Sequence, residues 1–234
     1  KGADIQQRSC PMVESGTPCV QCSLCSILCG WGGAGAYSDG KLTLTPEFGG
    51  RLKEYISAGD LSSFIQYVDT IYQSFGAGGD VHGDDNAALL RLKKKAAGYN
   101  LELIPARIRH IGTDLCREVL QKIREHLTGK LDVIFDTSVE RIKVKDGAVC
   151  GVTTGEGKEF DARYVIAAAG REGSAWLSTE AKRLGLSVQK NPVDIGVRVE
   201  LPAHIMKDIT DIAYEGKFIY SSRRFRDRVR TFCM

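Results

Sequence analysis

Five cysteines near the start of the chain have the spacing of metal ligands. Cys10, Cys19, Cys22, Cys25 and Cys29 lie within the first 29 residues, and the last four reproduce the C-x2-C-x2-C-x3-C run of bacterial cluster ferredoxins. Thiolates three residues apart can wrap one face of an iron–sulfur cubane, and a more distant cysteine, either Cys10 or Cys29, can close it. The run therefore predicts a cluster or metal site, with Cys10, Cys19, Cys22 and Cys25 as its ligands.

Two alternatives to an iron–sulfur cluster stay open for this run. Zinc prefers two separated cysteine pairs, and Cys25 follows Cys22 too closely for that, although the same four cysteines could still enclose one ion. The run could also hold free thiols or an adventitious disulfide in an exposed segment. The later Cys116 and Cys150 stand in periodic apolar contexts, which indicates buried core residues.

A glycine-rich segment follows the cysteines. Residues 30–42 read GWGGAGAYSDGKL, and glycines without side chains let the backbone come close to a flat or phosphorylated ligand. Gly30, Gly32 and Gly35 have the G-x-G-x-x-G spacing, but no strand pattern precedes them, so the spacing by itself is not the dinucleotide-binding fingerprint. From these residues alone, a ligand-binding loop and a flexible surface loop are both possible.

The composition is that of an ordinary globular protein. The 234 residues are 43% hydrophobic and 26% charged, with a net charge of +3. That charge is too small, and an aromatic content of 8% too low, to favour a nucleic-acid binder. No apolar run approaches the roughly 20 residues of a membrane span, and no signal peptide is recognisable. We therefore expect a cytoplasmic protein whose partners are neither nucleic acid nor membrane.

Hydrophobic periodicity predicts a mixed α/β (α+β) fold. The predicted helices cover residues 60–75 with Asp60 as N-cap, 86–97, 113–127 and 174–184. The predicted strands cover residues 101–104, 131–135, 139–144, 149–154, 160–169 and 194–201, with a last one near 218–232. In that last strand Arg224, Arg226, Arg228 and Arg230 alternate, which favours charged protection of a strand edge over a phosphate-binding strip.

Several segments resemble one flavoprotein family. They are residues 1–5 (KGADI), 30–42, 104–114 (IPARIRHIGTD), 164–177 (YVIAAAGREGSAWL), 191–199 (NPVDIGVRV) and 227–234 (DRVRTFCM). The sequence resembles the uncharacterised FAD-dependent dehydrogenases, a family of NAD(P)/FAD-dependent oxidoreductases with the glutathione-reductase-type FAD fold.

The resemblance implies an FAD/NAD(P)-binding Rossmann-like fold that lacks two parts. One is the N-terminal βαβ unit with the G-x-G-x-x-G fingerprint, expected before Lys1, and the other is a C-terminal segment expected after Met234. The chain is thus expected to be an internal fragment of a flavoenzyme, inactive alone. Its expected parts are a Cys- and Gly-rich FAD-proximal loop (1–50), a helical segment (51–130), part of the FAD-binding domain with crossover β-hairpins (131–185) and the start of a substrate domain (186–234).

The resemblance also implies cofactor contacts. Those beside the flavin and pyrophosphate are Gly32, Gly33, Ala34, Gly35 and Ser38. Val139 matches a backbone contact with the adenine, and Ala168, Ala169 and Gly170 match a small-residue strand end beside the FAD phosphates. For this strand end, tight packing is the alternative explanation.

A substrate site is expected near the start of the third helix. Arg107, Arg109 and His110 precede a helix N-terminus at Thr113, where anions are favoured, and could hold a carboxylate substrate or pair with surface acids. His82 and His204 have no partner at ligand spacing and are predicted to be structural or solvated.

Two functions remain after these observations. The first is an FAD-dependent oxidoreductase acting on an unknown small molecule, with NAD(P)H as a candidate electron partner and a cysteine-ligated cluster as a candidate relay. The second is a metal-binding structural module, with iron–sulfur or zinc, that has no catalysis of its own.

Overall fold

The structure, a computed structural model, describes residues 2–189 and 193–231. It has the predicted mixed α/β class and contains three small antiparallel sheets, with strand orders β1-β4-β2, β3-β8-β9 and β5-β6-β7. The helices are α1 (Pro11–Ser15), α2 (Ala58–Ser74), α3 (Asn86–Ala97), α4 (Thr113–Leu127), α5 (Ser174–Arg183) and α6 (Ala203–Ala213). The strands are β1 (Lys41–Thr43), β2 (Val81–His82), β3 (Leu101–Ile104), β4 (Ile108–His110), β5 (Val139–Lys145), β6 (Ala148–Thr154), β7 (Glu159–Asp161), β8 (Lys217–Ser221) and β9 (Arg228–Arg230).

The chain divides into two compact units, each built from two stretches of sequence. The first combines Lys1–Ser38 with Leu120–Ile195, and the second combines Asp39–Val119 with Gly196–Met234. Helix α4 contributes its first half to the second unit and its second half to the first.

The first unit contains the predicted crossover hairpins. Asp146 and Gly147 both have positive φ, 52° and 78°, which is the backbone of a two-residue turn that suits the twist of paired strands. Helix α5 lies beside the sheet, because the Glu180 carboxylate accepts the Ile142 amide of β5 at 3.0 Å. The absence of helix from 139 to 154 confirms the strand prediction for this region.

The second unit holds the main hydrophobic core. Helix α3, strands β3 and β8, and the end of α6 bury the side chains of Leu89, Leu92, Ala96, Leu103, Ala213 and Phe218. The predictions for 86–97 and 101–104 match α3 and β3 residue for residue. Helix α3 begins where the Asp85 side chain accepts the Ala88 amide at 2.9 Å, which replaces a backbone partner that the first turn lacks.

The start of α2 corrects one predicted cap. The predicted N-cap was Asp60, but Asp60 lies in the first turn, and Ser57 caps the helix by accepting the Asp60 amide at 3.1 Å. Because a carboxylate in the first turn is also favoured by the helix dipole, the sequence signal for cap and first turn is similar.

Three predicted strands are wrong in this structure. Residues 131–135 and 194–201 form no strand, and of the predicted 160–169 only the beginning is paired, in β7. The last predicted strand is divided into β8 and β9 by a turn. A strand needs a neighbouring backbone to accept and donate its hydrogen bonds. Among the described residues, no strand pairs with 131–135, 163–169 or 194–201. Their apolar side chains are left in solvent, with Ile166 93% and Ile195 94% exposed.

Within residues 2–189 and 193–231, no helix has both the length and the apolar character needed to cross a membrane.

The core of the second unit can be tested with two leucines. Leu103 in β3 is 1% exposed, whereas Leu90 in α3 is 53% exposed. We expect Leu103→Ala to lower the free energy of unfolding in urea by about 2–5 kcal/mol, because it leaves a cavity. Leu90→Ala is the control and should change it by no more than about 0.5 kcal/mol. Equal losses in the two variants would contradict this core.

Candidate functional site

The five clustered cysteines lie in short turns of the first unit. Cys10 is the N-cap residue of α1, and Cys25 and Cys29 are joined by a turn in which the Cys29 amide donates to the Cys25 carbonyl at 2.8 Å. Cys19 and Cys22 are exposed, in a stretch without regular secondary structure. The thiols therefore differ in accessibility, from the exposed pair to the buried Cys29.

A buried arginine holds the cysteine turn. The Arg8 side chain reaches the Ser26 carbonyl through Nε and Nη2 at 3.0 and 2.6 Å, the Ile27 carbonyl at 3.0 Å and the Trp31 carbonyl at 2.5 Å. Its guanidinium also lies 5.0 Å from the centre of the Tyr37 ring. Because Arg8 is only 2% exposed, these charge-assisted hydrogen bonds fix the cysteine turn and the glycine loop to each other.

The predicted metal ligands are not gathered in this structure. Among the described residues, no group of three or more Cys, His, Asp and Glu side chains could hold a metal ion. The predicted ligands are therefore not arranged to coordinate a metal ion in this structure; they are Cys10, Cys19, Cys22 and Cys25. Thiolates repel each other and converge when a metal binds, so ligand spacing in a sequence does not require convergence in the metal-free chain. The metal site stays a prediction.

Two glycines of the loop are required by packing. A Cβ on Gly30 would lie 2.6 Å from both the Arg8 side chain and the Ala3 carbonyl oxygen. One on Gly32 would lie 2.7 Å from the Leu120 side chain. Both glycines also have positive φ, so the interior of the protein accounts for them.

The next two glycines face open space. A Cβ on Gly33 or Gly35 would meet no atom within 4 Å, and Gly35 does not even have a positive φ. Ser38 closes this short 3-10 turn, since its hydroxyl and its amide donate to the Gly35 carbonyl at 3.0 and 3.2 Å. Ala34 and Gly35 are exposed and Gly33 and Ser38 are half-buried, so the turn lies at the protein surface.

The glycine loop is anchored on the second half of α4. The Trp31 indole donates to the Leu120 carbonyl at 2.9 Å. The Arg124 guanidinium lies 5.8 Å from the centre of the Trp31 ring and 5.2 Å from that of Phe135, and it approaches the Asp4 carboxylate at 3.3 Å. The exposed turn thus stands on a fixed base.

The remaining expected cofactor contacts lie in the same unit. Val139 is the first residue of β5, where it pairs with Thr154. Ala168 and Ala169 have no strand structure, and Gly170 has φ 63° with nothing within 4 Å of a Cβ. Ala168 and Gly170 are exposed among the described residues, and the positive φ of Gly170 by itself favours glycine.

The expected substrate residues Arg107, Arg109 and His110 do not converge on one place. Arg109 is buried, where its Nε and Nη2 bind the Asp69 carboxylate at 2.7 and 3.0 Å, and this hydrogen bonding raises the pKa of Arg109. His110 follows it in β4, so its side chain points to the opposite face. Arg107 is half-exposed and pairs with Asp84.

Arg107 borders an open cleft of about 420 Å³ in the second unit. The cleft lies at the start of α3, and Gly83, Asn86 and Pro105 also line it. The Asp84 carboxylate already balances the Arg107 charge there, so the cleft offers little attraction to an anion.

A lysine that sequence reasoning missed lies at the start of β1. The Lys41 ammonium contacts Asp39 at 2.8 Å and Glu215 at 2.6 Å. Burial by itself would lower the pKa of Lys41, but the hydrogen bonds to the two carboxylates outweigh it and raise the pKa. Glu215 lies 174 residues further along the chain than Lys41, so no sequence spacing could reveal the pair.

Comparison with known proteins gives one distant relative. No protein-family model matches the chain. An uncharacterised protein of Clostridium beijerinckii (strain ATCC 51743 / NCIMB 8052) is 26% identical over 217 residues, which cover 88% of this chain and 33% of that protein. The chain therefore spans about a third of the length of this relative.

The two arginine–aspartate pairs around β4 can be compared directly. We expect Asp69→Asn to lower the free energy of unfolding by about 3–5 kcal/mol, because the Arg109 charge then stays buried without its counter-ion. Asp84→Asn is the matched control and should cost at most about 1 kcal/mol, since its partner Arg107 is solvated. Urea unfolding of both variants measures the difference, and a larger loss for Asp84→Asn would refute the structural assignment of Arg109.

Proposed function

We propose that this chain is part of an FAD-dependent oxidoreductase with a Rossmann-like FAD-binding fold, acting on a small molecule. The observation that carries the proposal is the open space beside Gly33 and Gly35, where an added Cβ would meet no described atom within 4 Å. Neither the backbone angle nor the packing of the described residues requires a glycine at position 35, because its φ is not positive and the space beside it is open. A ligand that lies against the loop would require it, and the family resemblance makes that ligand FAD.

The shape of the loop supports close approach of such a cofactor. Gly30 and Gly32 let the chain pack closely against Arg8 and Leu120. The turn that follows is fixed on the side of the protein interior, and its other side faces open space. Gly32 and Gly33 have successive positive φ values of 77° and 55°, and the Gly33 amide donates to the Gly30 carbonyl at 3.0 Å. Without side chains, this part of the loop lets a flat ligand lie close to its backbone. The residues present therefore fit a dinucleotide.

The unpaired apolar segments also agree with a larger Rossmann-like sheet. Residues 131–135, 164–169 and 193–201 have the alternation or apolar content of strands and no strand partner among the described residues. Ile134, Ile166 and Val197 are 46%, 93% and 90% exposed. Apolar side chains left in water forgo the free energy that their burial would contribute. We infer that further residues of a longer protein pair with these segments.

In this proposal each contact residue has a limited task. FAD, when bound, supplies the redox chemistry by accepting a hydride or electrons. Gly32, Gly33, Ala34, Gly35 and Ser38 border it with backbone. The Val139 backbone meets the adenine, and Ala168, Ala169 and Gly170 leave room for the phosphates.

Two glycines provide a matched test of the loop. Gly35 and Gly50 both lack a positive φ and both face open space, so valine at either position should leave the fold intact. In the longer protein that we propose contains this chain, Gly35→Val should weaken FAD binding at least about tenfold, and Gly50→Val should not change it. Flavin absorbance after gel filtration and fluorescence titration measure both. A full-length protein that carries no flavin, or equal affinities for the two variants, would contradict the proposal.

The chain of 234 residues alone should bind FAD weakly. It lacks the helix N-terminus that would hold the pyrophosphate and the acidic residue that would bind the ribose in the resembled fold. The remaining contacts are too few to offset the entropy lost on fixing a flexible dinucleotide. We expect a dissociation constant above about 1 μM by fluorescence quenching. Stoichiometric FAD that copurifies with this chain would show that the missing elements are not needed.

A metal-binding structural module is the second candidate function. It is favoured by the position of Cys25 in a turn that Arg8 holds, with the accessible Cys19 and Cys22 before it. Thiolates from these three residues and Cys10 could then close around iron–sulfur or zinc, pinning the loop.

A cysteine comparison tests this candidate. If a metal binds, Cys22→Ser should remove it, because a hydroxyl replaces a soft thiolate poorly, and Cys150→Ser in β6 should not. Anaerobically purified protein is assayed for iron, zinc and acid-labile sulfide, and visible absorbance separates a coloured cluster from zinc. Protein without any of the three would exclude the module.

A further inference from the structure

One face of the sheet β1-β4-β2 carries a cluster of ionisable side chains. Lys41 of β1 is the cross-strand partner of His110 in β4, and His82 of β2 is the partner of Ile108, two residues earlier in β4. Since side chains two apart in a strand share a face, Lys41, His82 and His110 lie on the same side of the sheet. Arg109 and its ion pair with Asp69 occupy the other side.

Tyr214 covers this face. Its ring centre lies 4.8 Å from the ring centres of both His82 and His110, and 5.7 Å from the Lys41 ammonium. Tyr214 has φ 52° and ψ −60°, and the Glu215 amide donates to the Ala213 carbonyl across it, which is the strained form of the three-residue turn. The buried Ala213 before it holds this turn against the hydrophobic core.

The charges next to the rings are already balanced. Asp39 and Glu215 accept from Lys41, and Lys217 lies 3.7 Å from Glu215. Two ammonium groups thus face two carboxylates.

The polar atoms of the three rings have no hydrogen-bond partner among the described residues. The side chains of His82, His110 and Tyr214 take part in no hydrogen bond or ion pair within residues 2–189 and 193–231. All three are half-buried, and burial raises the pKa of the Tyr214 phenol, which Lys41 partly offsets, so the hydroxyl remains a donor. The strained turn at Tyr214 thus holds three half-buried side chains together, whose donors no described residue occupies.

We propose that His82, His110 and Tyr214 form a binding site for a small carboxylate. Imidazole N–H groups and the phenol hydroxyl donate to its oxygens. Lys41 strengthens the positive potential, and its two carboxylate partners stay bound to it. The site lies within the second unit and needs no flavin, so it is independent of the FAD proposal.

Histidine spectra test the site. The chain has four histidines, so each can be assigned by a His→Gln variant in a proton–carbon correlation spectrum. We expect acetate and succinate to shift the signals of His82 and His110 and to leave those of His126 and His204 in place. Acetamide, which has the shape of acetate without its charge, should not bind.

Two variants separate binding from packing. Tyr214→Phe keeps the ring and its contacts, so the unfolding midpoint should stay unchanged while acetate affinity drops about tenfold. His204→Gln, in an exposed position of α6, is the control and should change neither. The proposal is overturned if acetate and succinate at about 50 mM, a concentration that would detect millimolar binding, shift the signal of neither His82 nor His110. It is also overturned if the signals of all four histidines shift alike, or if acetamide shifts them as acetate does.

Discussion

The order of the first unit depends on the burial of one guanidinium. The residues before β1 have short helical turns and little apolar periodicity, so they cannot be held by a hydrophobic face of their own. Arg8 replaces such a face by donating to three carbonyls, at Ser26, Ile27 and Trp31. A buried charge without these partners would be very costly, so the loop and the arginine stabilise each other.

Local sequence patterns predicted the elements whose caps, turns and partners lie close together in the sequence. Helix α3 has its cap at Asp85 and its apolar stripe within 12 residues, and the hairpin β5-β6 has its turn at Asp146 and Gly147. Both were therefore legible from sequence. Residues 131–135 and 194–201 carry the same kind of strand pattern, but a strand forms only when a partner edge is present. A sequence pattern shows which secondary structure a segment can adopt, and an available partner strand decides whether a strand forms there.

The candidate sites also differ in whether their residues lie close together in the sequence. The glycine turn is contiguous in sequence, so its composition pointed to a ligand. The cluster on the sheet face joins Lys41, His82, His110 and Tyr214 from four distant stretches, and only strand register and the turn after α6 bring them together. Sequence reasoning named His110 for a substrate role but placed it with Arg107 and Arg109, because it could not see that alternation in β4 separates neighbours onto opposite faces.

Residue type alone also cannot separate a glycine required by packing from one that a ligand would require. Gly32 and Gly33 are adjacent and both have positive φ, yet one presses against Leu120 and the other faces open space. Gly35 is less restricted than either, because neither its backbone angle nor its described neighbours limit which side chain could stand at that position. Where the described residues do not require a glycine, as at Gly35, its missing side chain leaves room for a flat ligand to lie against the backbone.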